Sequence, residues 1–208
     1  MALAVVMLAI VMVGATGLMV YAATSVDDVQ RTEEQNLVSR QITQNVEQLV
    51  PDVTSIAVWE QAYVRMAPGM DLDWVDVEIG RYLHENMDHY MSVILDGDGK
   101  VVYAWREDGR IPLKDAASFV AATQGLSDKI RSEVRLTHRL GQKLKGGPSN
   151  AKTASGLFLL DGRYYMAGAS TIIPELPTMP MKDSAPYIAV SARLMDQAFL
   201  DHLSEDTL

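Results

Sequence analysis

The stretch "ILDGDGKVVYAW", Ile94 to Trp105, places two apolar runs on either side of an Asp-Gly-Asp-Gly connection. In the second run, Val101, Tyr103 and Trp105 alternate with their neighbours at the two-residue period of a β-strand. A glycine-rich connection between two such runs predicts a β-hairpin. Further strands and helices are predicted on both sides of this hairpin along the chain.

The same connection also has to be tested as a calcium loop. With Asp96 at the first position of an EF-hand, Asp98 and Glu107 fall on the third and twelfth positions. However, Lys100 and Val101 then occupy places where the loop needs an oxygen ligand and a glycine. A lysine beside the ion would also repel it. We therefore interpret the connection as a tight turn.

A second hairpin and one more strand follow. The runs "SGLFLL" and "RYYMAGAST" flank Asp161-Gly162, a strong two-residue turn signal, and a fifth strand is predicted at Tyr187–Ser191 after the proline-rich loop Pro174–Pro186. Helices are predicted at Leu113–Thr123, Ser127–Leu144 and Leu194–Leu203. The order predicts an α+β fold with a PAS- or Cache-like five-stranded antiparallel sheet.

Long helices are predicted before the sheet. An apolar residue recurs every three or four positions, close to the 3.6-residue period of a helix with one buried stripe; the stripe is Val38, Ile42, Val46, Leu49, Val53, Ile56, Trp59 and Tyr63. Pro51 should kink this helix or begin a second one, because proline lacks the N–H. We expect a membrane-proximal helix at 24–50, a second helix that carries Trp59, and a third from Asp71 or Asp73 to about Asn86.

The amino terminus predicts one transmembrane helix. Ala2–Ala23 is a run of 22 residues without a charge, and a bilayer needs about 20 apolar residues in a helix. The alternative is a cleaved signal peptide, for which Val20-Tyr21-Ala22 is a passable cleavage site, but the run is long for one and no basic segment precedes it. We therefore divide the chain into a membrane helix at 1–23, the helix at 24–50 and a folded domain at 51–208.

Composition narrows the function. The 208 residues include no cysteine and carry a net charge of -9, which excludes disulfides and thiolate metal sites and argues against nucleic-acid binding. No hydrolase elbow, phosphate-binding loop or zinc-protease motif occurs. His84 and His89 lie five residues apart, and we interpret them as surface histidines rather than metal ligands. No catalytic residue, metal or cofactor is predicted.

Five residues are candidates for binding a ligand. The strand aromatics Tyr103, Trp105 and Tyr165 could line the space between the sheet and the inserted helices, with core packing as the alternative for each. The segment 127–145 holds six Lys or Arg and two acidic residues. Within it, Arg135 and Arg139 share a helical face with Arg131. This face is either a solvated surface or a site for a carboxylate or lipid headgroup.

Three segments carry a family resemblance. The stretches "SIAVWEQAYVRM", "DLDWVDVEIGRYLHEN" and "YMSVILDGDGKVVYAWREDG" resemble the type-4 CHASE domain, an extracytoplasmic sensory domain of bacterial receptors. The matching residues are Trp59, Tyr63, Trp74, Asn86, Asp96, Asp98, Gly99, Tyr103 and Ala104. Glu60 and Gln61 replace two acids that are usual in the family, and Asp71 replaces an asparagine.

The resemblance implies a location and a role. Such a domain would lie in the periplasm, anchored in the bacterial inner membrane, and would control a cytoplasmic cyclic-di-GMP cyclase, a phosphodiesterase or a histidine kinase encoded outside this fragment. The expected partners are an unknown small molecule, the lipid bilayer and a second copy in a homodimer. The alternative is a protein-interaction or dimerisation module that binds no ligand.

Overall fold

A computed structural model of the chain describes residues 36–66, 69–182, 184–197 and 199–201. The predicted membrane helix at 1–23 and the first part of the predicted helix at 24–50 lie outside these residues. Among the described residues, no helix has both the length and the apolar character needed to cross a membrane. Residues 36–42 are helical and belong to one unit, and Thr43–His202 is a second, compact unit.

The centre of the compact unit is a six-stranded sheet. Its order is β3-β2-β1-β6-β5-β4, and every neighbouring pair is antiparallel. The strands are β1 (Met91–Leu95), β2 (Val101–Arg106), β3 (Gly109–Arg110), β4 (Thr153–Leu160), β5 (Arg163–Thr171) and β6 (Ile188–Leu194). The predicted α+β class with an antiparallel sheet is therefore confirmed.

The sheet has one strand more than predicted. The extra strand, β3, is a two-residue edge that folds back on the end of β2 and pairs Arg110 with Trp105. A Gly-Arg pair is too short to show an alternating pattern, so the sequence carried no signal for it. The predicted fifth strand also runs further than expected, to Leu194, where a helix was predicted to begin.

The first hairpin turn is closed by its own aspartate. Asp96 Oδ1 accepts hydrogen bonds from the backbone N–H groups of Asp98 at 3.0 Å and Lys100 at 2.8 Å. Gly99 follows with φ of 89°, a value that favours glycine. The carboxylate thus satisfies backbone donors within the turn, as aspartate commonly does, and the turn interpretation is confirmed.

The second hairpin uses the predicted two-residue turn. Asp161 and Gly162 have φ of 50° and 76°, the pair of positive values that defines the type I′ turn preferred between twisted strands. Leu160 pairs directly with Arg163 across it.

One face of the sheet is covered by helices inserted between β3 and β4. These are a 3₁₀ turn (Leu113–Ala116), α5 (Ala117–Ala122) and α6 (Gln124–Arg139). They pack on alternate residues of the strands around Phe119 and Ile130, both almost fully buried. α6 ends five residues before the predicted Leu144. Gly141, with φ of 70°, follows its end, as glycine commonly does at helix carboxyl ends.

The opposite face is covered by the helices that precede the sheet. α1 spans 36–57, and α2 spans Glu60–Arg65. Of the two outcomes predicted for Pro51, the start of a second helix is wrong, because α1 continues past Pro51 for six residues. Leu49 and Val53, one turn apart on either side of it, are both fully buried in the compact unit, and this packing outweighs the missing backbone hydrogen bond.

The helical segment before β1 contains a π-helical stretch, which has more residues per turn than an α-helix. It consists of α3 (Leu72–Val75), a π-helical stretch (Asp76–Arg81) and α4 (Tyr82–Met87). Gly80 of the π-helical stretch lies against β2, and a Cβ placed on it would fall on the Tyr103 hydroxyl and within 2.5 Å of the Trp105 ring. Glycine is therefore required for this close approach.

Candidate functional site

A groove of about 570 Å³ opens where the end of α1 faces the π-helical stretch. Its volume falls within the usual range for small-molecule sites. Four separate segments of the chain form its walls, and ten residues line it: Pro51, Thr54, Ser55, Ile56, Val58, Trp59, Glu78, Tyr82, Pro148 and Glu175. We call it the α1–π groove.

The break between α1 and α2 forms one end of the groove. Val58 leaves the helix and forms a parallel bridge with Ile173. The Ile173 N–H donates to the Ala57 carbonyl at 3.1 Å, and the Trp59 N–H donates to the Ile173 carbonyl at 3.1 Å. These bonds fix the break and leave the Trp59 side chain at the groove wall.

The loop that carries Glu175 is held from two sides. Glu60 Oε1 accepts a hydrogen bond from the Leu176 N–H at 3.0 Å. On the other side, the Gly147 N–H donates to the Pro174 carbonyl at 2.8 Å, and a Cβ on Gly146 would fall 2.5 Å from the Leu176 carbonyl oxygen. Glu175 is therefore placed at the groove rim by backbone that is tied down on both flanks.

The aromatic wall extends beyond the groove. The Trp59 ring lies 5.3 Å from that of Trp74, measured between centroids. The guanidinium of Arg65 lies over Trp74 at 5.4 Å and forms a 2.7 Å ion pair with Asp71. Asp71 in turn caps α3 by accepting from the Trp74 N–H. Trp59 is thereby fixed by a chain of contacts that starts outside the groove.

The charged side chains that line the groove are all negative. Glu78 belongs to the π-helical stretch, Glu175 to the fixed loop, and none of the ten lining residues is a lysine, arginine or histidine. The Ser55 hydroxyl donates a hydrogen bond to the Asp52 carbonyl at 2.7 Å. The Thr54 hydroxyl oxygen is buried and has no hydrogen-bond partner among the described residues. The charged side chains of the groove lining are therefore two carboxylates, Glu78 and Glu175.

The five sequence-predicted ligand residues do not come together. Tyr103 and Trp105 face the α1 side of the sheet and are buried. The Tyr103 hydroxyl donates to Asp76 Oδ1 at 3.1 Å, and burial together with the Asp76 carboxylate raises the pKa of Tyr103. Trp105 Nε1 donates to the Glu107 carbonyl at 2.6 Å. Both side chains are engaged in the packing of the π-helical stretch.

Tyr165 lies on the other face of the sheet. Its ring stacks on Phe158 at 5.4 Å and contacts Tyr90 at 5.5 Å. Phe158 also packs edge-on against Phe119 of α5. These rings pack in the space between the sheet and the inserted helices, where the sequence predicted a ligand. The α1–π groove lies on the opposite face of the sheet.

The three arginines of α6 also lie in different surroundings. Arg135 and Arg139 are exposed. Arg131 instead lies against the first hairpin turn, where a Cβ on Gly99 would fall 2.7 Å from its guanidinium carbon. Its Nε and Nη2 are buried without a hydrogen-bond partner among the described residues.

The basic segment does border a cavity. A second groove of about 570 Å³ is lined by Lys143 and Lys145, together with Lys182 and His138. The remaining lining residues are Gly141, Gln142, Leu144, Met179, Pro180 and Met181. The anion site predicted for residues 127–145 stays a prediction, and this groove is the place where it would form.

The residues taken from the family pattern have local structural roles. Tyr63 accepts a hydrogen bond on its hydroxyl from the Lys182 N–H at 2.8 Å. Asn86 donates from its side chain to the Tyr82 carbonyl at 3.1 Å. Asp96 and Gly99 build the hairpin turn described above. Among these residues, Trp59 lines the groove.

A buried polar network was missed by sequence reasoning. His89 is buried rather than on the surface, so its surface interpretation was wrong. Its Nδ1 is hydrogen-bonded to Ser191 Oγ at 2.6 Å, and its Nε2 lies 3.4 Å from Asp52 Oδ2. Ser191 Oγ also bonds Ser92 Oγ at 2.6 Å, and Arg193 binds Asp52 at 2.8 Å. The serines in otherwise apolar strands were the signal that could have revealed it.

This network is structural. It contains a serine, a histidine and an aspartate within reach of one another, but Ser191 is 1% exposed and His89 is equally buried. A nucleophile must contact its substrate, and here β1, β6 and α1 enclose the hydroxyl. Burial, the largest influence, lowers the pKa of His89, although the hydrogen bond with Asp52 acts in the opposite direction. The neutral imidazole therefore links α1 to the two central strands.

A comparison with models of protein families identifies a family. A family model described as the CHASE4 domain matches residues 41–208, which include the whole sheet, the inserted helices and the α1–π groove. Among curated proteins, no relative matches the chain.

Proposed function

The chain belongs to the CHASE4 family, extracytoplasmic sensory domains found in bacterial signalling receptors, and from this premise we propose that it senses a small molecule bound in the α1–π groove. CHASE4 is a sensory rather than a catalytic domain, which agrees with the engagement of the buried Ser191 and His89 in packing. The proposed outcome of binding is a change in the output of the receptor.

The observation that carries the proposal is the construction of the groove. Its walls come from α1, the π-helical stretch, the Pro148 turn and the fixed loop at Glu175. A molecule bound there would contact both the end of α1 and the loop between β5 and β6 that carries Glu175. It could thus favour one packing of α1 over another, which is how a ligand shifts a two-state equilibrium. Residues 43–57 of α1 belong to the compact unit, and a displacement at the groove would be passed along this part of the helix.

The output and location are proposed from the family. We propose a periplasmic domain of an inner-membrane receptor that controls cyclic-di-GMP turnover, or a histidine kinase, through cytoplasmic domains outside this chain. Expression of the receptor gene with and without Ser55→Trp, followed by measurement of cellular cyclic-di-GMP, would separate the cyclase and phosphodiesterase outputs from the kinase.

Filling the groove provides the direct test of ligand sensing. Ser55 is exposed at the groove wall, and Ser55→Trp should fill the space. We expect some compounds of a broad metabolite panel to raise the Tm of the full chain in detergent, and we expect this stabilisation to disappear in Ser55→Trp. Stabilisation that survives Ser55→Trp, or a panel without any stabilising compound, would contradict the proposal.

Ser132→Trp is the matched control. Ser132 is an exposed helical serine whose hydroxyl, like that of Ser55, donates to the carbonyl three residues earlier. It lies on α6, away from the groove lining. Ligand stabilisation should therefore be unchanged in this variant.

A second candidate function is dimerisation, favoured by an exposed apolar patch. Leu159 and Tyr164 form a cross-strand pair on β4 and β5, and both are more than half exposed. Leu157, two residues along the edge strand, is also exposed. We propose a second copy of the chain as the occupant. Leu159→Arg should shift sedimentation towards the monomer, whereas Leu113→Arg, at an exposed leucine elsewhere, should not; equal sedimentation of both variants would count against this candidate.

A further inference from the structure

We propose that the α1–π groove selects an organic cation, a primary or substituted ammonium attached to an apolar body. This inference rests on the proposed function, because it assigns a ligand class to the same groove. It follows from two properties of the lining residues: the sign of their charge and the presence of aromatic rings.

The charge of the groove decides the sign of the ligand. Glu78 and Glu175 come from different segments of the chain, yet both line the groove, and its ten lining residues include no cationic side chain. The nearby cation Arg65 is already engaged by Asp71 and Trp74. An anionic ligand would meet two carboxylates without a compensating positive group, which is unfavourable in a partly enclosed site. A cation would form charge-assisted hydrogen bonds with the carboxylates.

The aromatic rings favour an organic cation over a metal ion. Trp59 and Tyr82 line the groove together with Ile56 and Val58, and the faces of aromatic rings attract ammonium groups. A divalent metal would instead need several oxygen ligands around one point. Among the described residues, no three histidine or acidic side chains are grouped closely enough to hold a metal ion.

The test uses three probes that differ only in their polar end group: phenethylammonium, phenethyl alcohol and hydrocinnamate. Binding to the full chain in detergent is measured by calorimetry. We expect phenethylammonium to bind about tenfold more tightly than the neutral alcohol, as a charge-assisted and cation–π site requires. We expect hydrocinnamate to bind least.

Charge-neutralising variants test the residues. Glu78→Gln and Glu175→Gln should each weaken phenethylammonium binding about fivefold to tenfold and bring its affinity towards that of the alcohol. Glu85→Gln is the control, because Glu85 is exposed on the same helical segment but does not line the groove. The phenethyl alcohol affinity should be the same in all three variants.

The outcomes separate this inference from the proposed function. If the alcohol or hydrocinnamate binds as tightly as the ammonium and Ser55→Trp abolishes binding, the groove senses ligands but is not selective for cations. If phenethylammonium fails to bind to folded protein, or binds equally well to Glu78→Gln and Glu175→Gln, the inference is overturned. If no compound of the metabolite panel binds to the wild-type chain, the proposed function is overturned instead.

Discussion

The carbonyl of Leu49 rests directly on Gly168, so that α1 touches the middle of the sheet through its backbone. A Cβ placed on Gly168 would fall 2.5 Å from the Leu49 oxygen and 2.8 Å from its carbonyl carbon. Since both atoms belong to the backbone, α1 would have to move as a unit to make room. This contact sets the distance between the helix that borders the groove and the sheet behind it.

Gly168→Ala should therefore loosen α1 from the sheet. We expect it to lower the free energy of unfolding by about 1–3 kcal/mol, the usual cost of overpacking a core, measured by urea denaturation. Gly156→Ala on neighbouring β4 is the control, because its nearest contact would be the flexible end of Leu126 at 3.4 Å. The close approach is refuted if the two variants are equally stable.

Gly80→Ala should disturb the π-helical stretch. Its new methyl group would overlap the Tyr103 hydroxyl and the Trp105 ring, and we expect a loss of about 2–3 kcal/mol in the free energy of unfolding. Gly125→Ala on α6 meets open space and should gain about 0.5–1 kcal/mol from helix propensity. A Gly80→Ala variant as stable as Gly125→Ala would show that this packing is wrong.

The buried His89 should make stability depend on pH. Burial holds its pKa below the unfolded value of 6.5, so the unfolded chain binds a proton more readily than the folded one. The stability contribution is complete above the unfolded pKa and is lost as the pH falls through 6.5 towards the folded pKa. Asp52 and Asp88 oppose this lowering and Arg193 reinforces it.

Urea denaturation at about pH 7.5 and about pH 5.5 measures this effect, with a limiting slope of about 1.4 kcal/mol per pH unit for one group. His89→Asn lacks the titrating imidazole and should show a smaller loss between the two pH values. His138→Asn, at an exposed histidine, should retain the wild-type dependence. An unchanged slope in His89→Asn would rule out His89 as its source.

The first hairpin turn should depend on Asp96 and not on Asp98. Asp96→Ala removes the acceptor of two backbone N–H groups and should cost about 1 kcal/mol of unfolding free energy. Asp98→Ala, at an exposed side chain, should stay within about 0.5 kcal/mol of the wild type. Excess Ca²⁺ should leave the Tm of all three proteins unchanged, and a rise confined to the wild type would revive the calcium loop.

Local signals in the sequence were sufficient for the hairpins and the fold class. The Asp161-Gly162 turn needs positive φ at both residues, a demand that few residue pairs meet, so the sequence displays it openly. The continuation of α1 past Pro51 could not be predicted in this way. The loss of one helical hydrogen bond there is outweighed by burial of Leu49 and Val53 against a sheet formed by later residues.

The α1–π groove was beyond sequence reasoning for a related reason. Its carboxylates, Glu78 and Glu175, are separated by nearly half the chain, and the π-helical turn that presents Glu78 follows no periodic pattern. By contrast, Tyr103, Trp105 and Tyr165 were correctly placed on strands, yet the sequence could not tell which face each would occupy once the strands were paired.

The wide helical turn at Asp76–Arg81 holds more residues per turn than an α-helix. If its backbone bonds shortened to the α-helical register, the residues after it would rotate by about 100° around the axis, the angle that one α-helical residue spans. Tyr82 would then leave the wall of the cavity, and the buried Leu83 would leave the core. Such a change in phase would occur in whole-residue steps, so a rearrangement of this face would be discrete and not graded.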